Sequence, residues 1–216
     1  SPDDFTAIAV YSDIKKTGTL ISSDKNLNQL FSNIFWGQKC NFLDVPTDCP
    51  QRDERLGWTG DAEVFAKTAT YNFDTERFYK KWMSDIAAEI DMNGKIGMIV
   101  PNNFGGTISA EAWSDAAIII PWQVYLTYGD KALLERQLAS MTTFMETVLK
   151  EGYNHHFGDW LGIDAPEGSY TGSTRTELIA EAFLAYDLEL LAKAYEVLGR
   201  DGSRYRVLHE EAKNKF

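Results

Sequence analysis

The sequence predicts an all-α fold, and three observations carry that expectation. Apolar residues recur at three- and four-residue spacing through most of the chain, acidic or hydroxyl residues stand just before these stripes, and glycines stand just after them. Phe78, Trp82, Ile86 and Ile90 are the plainest case, four apart each time, with Asp74 ahead of them as a cap and Asn93-Gly94 behind them as a stop. With 216 residues, 44% of them hydrophobic, one sizeable core is expected, burying roughly 70% of the unfolded surface.

Ala7 to Tyr11 reads as a short strand, followed by the turn residues Lys15-Lys16-Thr17-Gly18. Ser23-Asp24 offers an N-cap to a first helix whose apolar positions are Leu27, Leu30, Phe31, Ile34 and Phe35. A second helix runs from about Asp61 to Asn72, and the third follows Asp74. Lys95 to Ala110 is irregular, a long connection of the kind that often carries function. It ends at Ala112-Trp113-Ser114-Asp115, where Ser114 or Asp115 can cap a fourth helix, Ala116 to Tyr128. That helix is apolar around most of its circumference, as a helix buried on two sides must be, and its Pro121 either kinks it or sits early enough to be tolerated. Asp130 caps a fifth, with Leu134, Leu138, Met141, Met145 and Leu149 on one face and Gly152 at its end. Tyr153 to Gly172 is a second irregular stretch, centred on Gly158-Asp159-Trp160-Leu161. Thr174-Arg175-Thr176-Glu177 reads as a capping box for a long sixth helix, and a seventh spans Ser203 to Phe216 with Tyr205, Leu208 and Ala212 inward.

A net charge of −11 speaks against nucleic acid or an anionic membrane surface as partner, because nothing supplies a basic stripe for phosphates. The longest apolar run, Ala116 to Tyr128, is too short to span a bilayer. Two cysteines, Cys40 and Cys49, make no disulfide framework, and the three histidines show no metal-ligand spacing, so no metal or cofactor is expected. His155-His156 reads as solvated loop. The chain opens on Ser1-Pro2, reads as an excised piece, and leaves the compartment open.

The densest chemistry is Asp48-Cys49-Pro50-Gln51-Arg52-Asp53-Glu54-Arg55-Leu56-Gly57-Trp58-Thr59-Gly60-Asp61. Four carboxylates, two guanidiniums and an indole fall within fourteen positions, and Pro50, Gly57 and Gly60 make the segment a loop that enters the second helix. Paired carboxylates beside a cleavable bond are what glycoside hydrolysis needs, and Glu54 is the better acid. Trp58 offers an apolar wall or a face for a sugar's C–H groups, while Arg52 and Arg55 favour ionised neighbours. The competing reading of the same residues is a helix-entry loop tied down by its own ion pairs.

Together with Asn41-Phe42-Leu43-Asp44-Val45-Pro46-Thr47 before it, this run resembles the signature of the bacterial and fungal α-L-rhamnosidases, a family of inverting glycoside hydrolases. The resemblance implies a partial (α/α)6 toroid, about seven of twelve helices, with Glu54 as general acid. Asp48, Arg52, Trp58 and Asp61 then line the pocket for the rhamnosyl ring. Trp113, in its Trp-Ser-Asp context, resembles a sugar-contacting aromatic, and Trp160, in Gly-Asp-Trp, resembles the Trp that closes the pocket. Asp164 to Tyr170 is more polar and richer in glycine than the family's pattern, which puts the neighbouring subsite in question.

By the same resemblance, residues 1–22 form the exit segment of a preceding β domain and 23–216 the N-terminal part of the catalytic toroid. The general base is then a Glu beyond Phe216, and these residues alone are expected to have negligible activity. The implied partners are L-rhamnose-containing glycosides or polysaccharides. A remainder of the parent chain, or a second copy, is expected to cover exposed helix faces. Two alternatives stay open: another toroidal glycosidase of glucoamylase-like or unsaturated-uronyl type, and a non-catalytic carbohydrate-binding remnant.

Overall fold

A computed structural model describes residues 2–215, apart from the side chains of Pro2, Asp91, Met92 and Asn93. Among the described residues seven α-helices carry the fold: α1 Lys25–Asn41, α2 Thr59–Asn72, α3 Glu76–Asn93, α4 Ala116–Tyr128, α5 Lys131–Glu151, α6 Thr176–Val197 and α7 Ser203–Lys213. Four two-residue strands accompany them: β1 Lys15–Lys16, β2 Phe42–Leu43, β3 Val45–Pro46 and β4 Phe73–Asp74. The last helix stops at Lys213, and Phe216 lies outside the described residues.

The expected strand over Ala7 to Tyr11 does not form. Those residues are exposed, and the pairing occurs one turn later, where β1 meets β4 antiparallel with Lys15 opposite Asp74. Ile14 explains the shift: it is buried in the core, so the chain is anchored just where the lysines begin, and Thr17 and Gly18 then donate to the carbonyl of Asn72.

Sequence and cap agree best where a side chain closes a helix start. Asp24 accepts from the N–H groups of Asn26 and Leu27, and Asp130 from that of Leu133, each worth about 1 kcal/mol. Three other expected caps fail. Asp74 precedes the true cap residue, Thr75, and only reaches the N–H of Glu76 at 3.3 Å. Ser114 and Asp115 make no cap bond, because the first accepts from Ala110 and donates to Ile96 O while the second turns back to Ala112. The Thr174–Glu177 capping box does not close either, since α6 starts after Arg175 and the Thr174 hydroxyl donates to Asp159 instead.

Helix α4 is the hub, packed against α2, α3, α5 and α6, and it runs unbroken through the buried Pro121. That environment is why its sequence shows no polar face. The core around it is filled from α3 by Tyr79, Trp82, Met83, Ile86 and Ile90, and from α5 by Leu133, Leu134, Met141 and Phe144. Helix α1 departs from its amphipathic reading. Phe35 is buried, whereas Leu27, Leu30 and Ile34 are exposed, the last of them lining the cleft described below. Among the described residues no helix is long and apolar enough to cross a membrane.

Two anchors set the loop that precedes α2. Gly57 accepts from the N–H of Val100, Thr59 donates its N–H to Met98 O at 2.8 Å, and Trp58 bridges Ile99. Val100 is itself held from below, since the fully buried Trp82 donates its indole N–H to the Val100 carbonyl at 3.0 Å. Gly57 is required here: a Cβ would stand 2.2 Å from Val100 O.

Candidate active site

The residues 48–61 form one wall of an open cleft of 1110 Å³. All seven residues singled out in the sequence line it: Asp48, Arg52, Glu54, Trp58, Asp61, Trp113 and Trp160. In the chain α2 and α3 lie between the 48–61 run and Trp113, and α4 and α5 between Trp113 and Trp160, so the folding of these helices closes the distance.

At the centre of this wall Glu54 is held from two sides. The indole N–H of Trp58 donates to Oε1 at 2.7 Å, and the Arg52 guanidinium pairs with Oε2 at 2.9 Å. Trp58, which also lines the cleft, thus uses its ring edge on the carboxylate. The pairing leaves Glu54 accessible, with 30% of its side chain exposed. Arg55 and Asp53 play no part in this and face solvent.

Asp48 is less free. Its Oδ1 accepts from the N–H of Leu56, its Oδ2 accepts from the Cys49 thiol at 2.8 Å, and Arg52 lies 3.5 Å away. Asp61, in the first turn of α2, is exposed to the cleft. Partial desolvation pushes its pKa upward, and the charges of Asp48 and Glu54 add to the rise. Ligand atoms of Asp48, Cys49 and Glu54 lie within 4.8 Å of one another, but Arg52 stands among them and a cation placed there meets its positive charge.

The opposite wall is aromatic. Trp113 packs tilted against Phe157 at 4.6 Å, Phe157 against Trp160 at 5.4 Å, and Trp160 against Tyr170 at 5.4 Å. Phe157 and Tyr170 were not read as site residues from sequence, because single aromatics in an irregular stretch show no periodicity. Trp113 is seated against α2: a Cβ on Gly60 would stand 2.8 Å from both its Nε1 and the Ala112 carbonyl. His155 and His156 are exposed but not merely solvated. His155 packs on Phe157, and His156 Nδ1 lies 2.8 Å from Oε2 of the buried Glu111.

The fold also buries a group of acids, of which sequence reading singled out Asp115 alone, as a helix cap and not as a buried group. Glu63 on α2, Asp115 at the start of α4 and Asp187 on α6 are at most 5% exposed. A carboxylate within a helix ordinarily marks its solvent face, which is why nothing in the periodicity pointed to them.

An all-helical domain that sets a carboxyl among an indole, a guanidinium and a row of packed aromatic rings defines a glycosidase domain built of helical hairpins. The model of the bacterial alpha-L-rhamnosidase 6 hairpin glycosidase domain matches residues 15–216, and the chain belongs to that family. An alpha-L-rhamnosidase of Formosa agariphila is 38% identical over 97% of the chain, and one of Streptomyces avermitilis is 36% identical over 88%. The solved structure of a Streptomyces avermitilis alpha-L-rhamnosidase complexed with L-rhamnose superposes with a TM-score of 0.83 at 33% identity, covering 95% of this chain and 20% of that one. Native alpha-L-rhamnosidase from Aspergillus terreus superposes with a TM-score of 0.89 at 32% identity, covering 97% of this chain and 26% of that one. The chain spans 23% of the length of the Formosa relative and 18% of the Streptomyces relative.

Proposed function

We propose that the protein releases terminal α-L-rhamnosyl residues from glycosides or polysaccharides, with Glu54 protonating the departing glycosidic oxygen. The observation that carries this is the placement of Glu54: oriented by Trp58 and Arg52 yet open to the cleft, facing aromatic rings fit to stack on a sugar. Asp61 and Asp48 hold ring hydroxyls, and their field favours the positive charge that builds on the sugar in the transition state. Trp113 and Trp160 cover the ring from the other side.

An inverting reaction needs a second carboxylate roughly 6.5 to 9.5 Å from the first, with water between them. We assign Asp48, which internal hydrogen bonds orient, and Asp61 to ring hydroxyls, and Asp159 is committed to the Thr174 hydroxyl. We therefore place the water-activating carboxylate outside residues 1–216, in a protein whose catalytic toroid begins near residue 23. The relatives' greater length supports this reading. Hydrolysis of an aryl α-L-rhamnoside by the intact protein, with the product's anomeric configuration read by NMR, tests it. β-L-Rhamnose as first product is expected; α-L-rhamnose as first product, or no turnover, refutes it.

A further inference from the structure

Asp187 lies in the middle of α6, fully buried, and neither of its oxygens has an N–H or O–H donor among the described residues. The neighbouring carboxyl is that of Asp115, which adds to the upward push that burial gives the pKa of Asp187. Among the described residues no lysine or arginine pairs with either acid. Two adjacent buried carboxylates without a counter-ion cannot both carry charge, so one proton must lie between them.

The surroundings decide which acid keeps it. Asp115 accepts from the Tyr153 hydroxyl at 2.5 Å and from the N–H of Ala112 at 2.6 Å, and it stands at the N-terminus of α4, where a negative charge is favoured. Asp187 has none of these donors, and burial followed by the Asp115 charge pushes its pKa well above the usual carboxylate range. Asp187 therefore keeps the proton as a hydroxyl donor, and Asp115 takes the charge.

What Asp115 grips is the aromatic wall. Ala112 is held at a φ of 63°, a left-handed conformation rare for alanine, and its neighbour is Trp113. Tyr153 opens the loop that carries Phe157 and Trp160. The two loops are further zipped together where Asn154 and His155 donate to Ser109 O. One carboxylate thus ties both mouth loops to α6.

We propose that Asp115 and Asp187 are positioning residues that share one proton, and that this proton keeps Trp113, Phe157 and Trp160 where they receive the sugar ring. The identity of the sugar rests on the rhamnosidase reading; the shared proton does not. The groups that face the pair are Glu63 from α2, Tyr153 from the loop after α5 and Tyr186 on α6, with Glu111 beside Asp115. All are acids, so raising the pH can only add charge around it.

The test compares Asp187→Asn with Asp187→Leu in the intact protein. An amide can still donate to Asp115, so Asp187→Asn keeps KM within about threefold of wild type, while Asp187→Leu leaves Asp115 short of a donor and raises KM about tenfold or more with kcat less affected. In the wild type KM rises on the alkaline side as the proton is lost, whereas Asp187→Asn, which cannot ionise, stays flat. The infrared difference between wild type and Asp187→Asn at neutral pH shows one protonated carboxyl band lost. Equal impairment of both variants, unchanged KM in both, or no lost band overturns the proposal. Should Asp187→Leu fail to fold, the infrared band and the pH profile of Asp187→Asn decide. Should the wild type turn over no rhamnoside, the hydrolase reading fails, while the infrared band still tests the shared proton.

Discussion

Trp58 and Glu54 are joined edge to carboxylate: the indole N–H donates to Oε1 at 2.7 Å, four residues along a chain that turns at Arg55, held at a φ of 57°. The bond fixes one oxygen, and Arg52 at 2.9 Å fixes the other, so the carboxyl enters the cleft in one orientation. Orientation of this kind is what a proton donor needs, since it must reach the glycosidic oxygen within hydrogen-bond distance.

Replacing that carboxyl with an amide of the same shape, Glu54→Gln, removes the proton and keeps one of the two accepting contacts, to Trp58 or to Arg52. We expect kcat on an alkyl rhamnoside to fall about 10²- to 10⁴-fold. A nitrophenyl leaving group needs less protonation and should lose less. Steady-state kinetics on both substrates checks this, and equal losses would argue that Glu54 only holds the sugar.

Trp58→Phe keeps the ring in the cleft and deletes one hydrogen bond to a charged group. The expected loss is about 1.5 to 3 kcal/mol, or about 10- to 100-fold in kcat/KM. It should fall on kcat, because Arg52 still restrains Glu54 in the ground state.

Gly60→Ala separates propensity from packing. Alanine inside α2 is favoured over glycine by up to about 1 kcal/mol, but its Cβ meets the Ala112 carbonyl and the Trp113 ring, each at 2.8 Å. Overpacking of a backbone contact costs about 1 to 3 kcal/mol, so the clash wins. A lower melting temperature together with a raised KM is expected; a raised melting temperature would show that the turn around Trp113 moves aside freely.

The helices and the candidate site were legible in the sequence for a shared reason. Stripes such as Phe78, Trp82, Ile86 and Ile90 report burial directly, and the 48–61 run packs its chemistry into one continuous segment. What escaped depends on contacts between distant residues. Ser114 and Thr174 have the right chemistry for caps, yet Ile96 O and Asp159 compete for their hydroxyls. Ala7 to Tyr11 has strand propensity but no partner strand among the described residues, while β1 forms from two lysines because β4 is there to receive them. Asp187 sits between Tyr186 and Leu188 and looks like an ordinary helix-surface acid until α4 packs over it.

Buried acids also set a pH dependence of stability. Burial pushes Glu63 well above its ordinary value of 4.5, with the Asp115 charge adding to the rise, and Asp187 well above 3.8. Both hold protons in the folded state that they release when unfolded, so ν_N exceeds ν_U and stability falls as pH rises above the unfolded values. Each group's contribution is whole below its unfolded pKa and is lost as pH climbs through its folded one, at most about 1.4 kcal/mol per pH unit. Glu63→Gln should flatten part of that slope in urea unfolding from about pH 5 to pH 8. An unchanged slope would mean Glu63 is ionised in the fold.

Cys49 gives the last test, because its thiol does two jobs that serine and alanine separate. It donates to Asp48 Oδ2 at 2.8 Å, accepts from Arg52 Nε at 3.1 Å, and lies 3.9 Å from Glu54 Oε2, while only 6% exposed. The sulfur is therefore the joint between Asp48 and the guanidinium that restrains Glu54. Serine keeps both a donor and an acceptor, so Cys49→Ser should stay within a few-fold of wild type. Alanine leaves Asp48 Oδ2 with Arg52 alone, at 3.5 Å, and frees the Arg52 side chain to swing away from Glu54. Loss of one hydrogen bond to a carboxylate, about 1.4 kcal/mol, corresponds to about a tenfold drop in kcat/KM. If Cys49→Ala instead matches wild type while Cys49→Ser does not, the thiol acts by filling space, and the hold on Glu54 comes from Trp58 and Arg52 without its help.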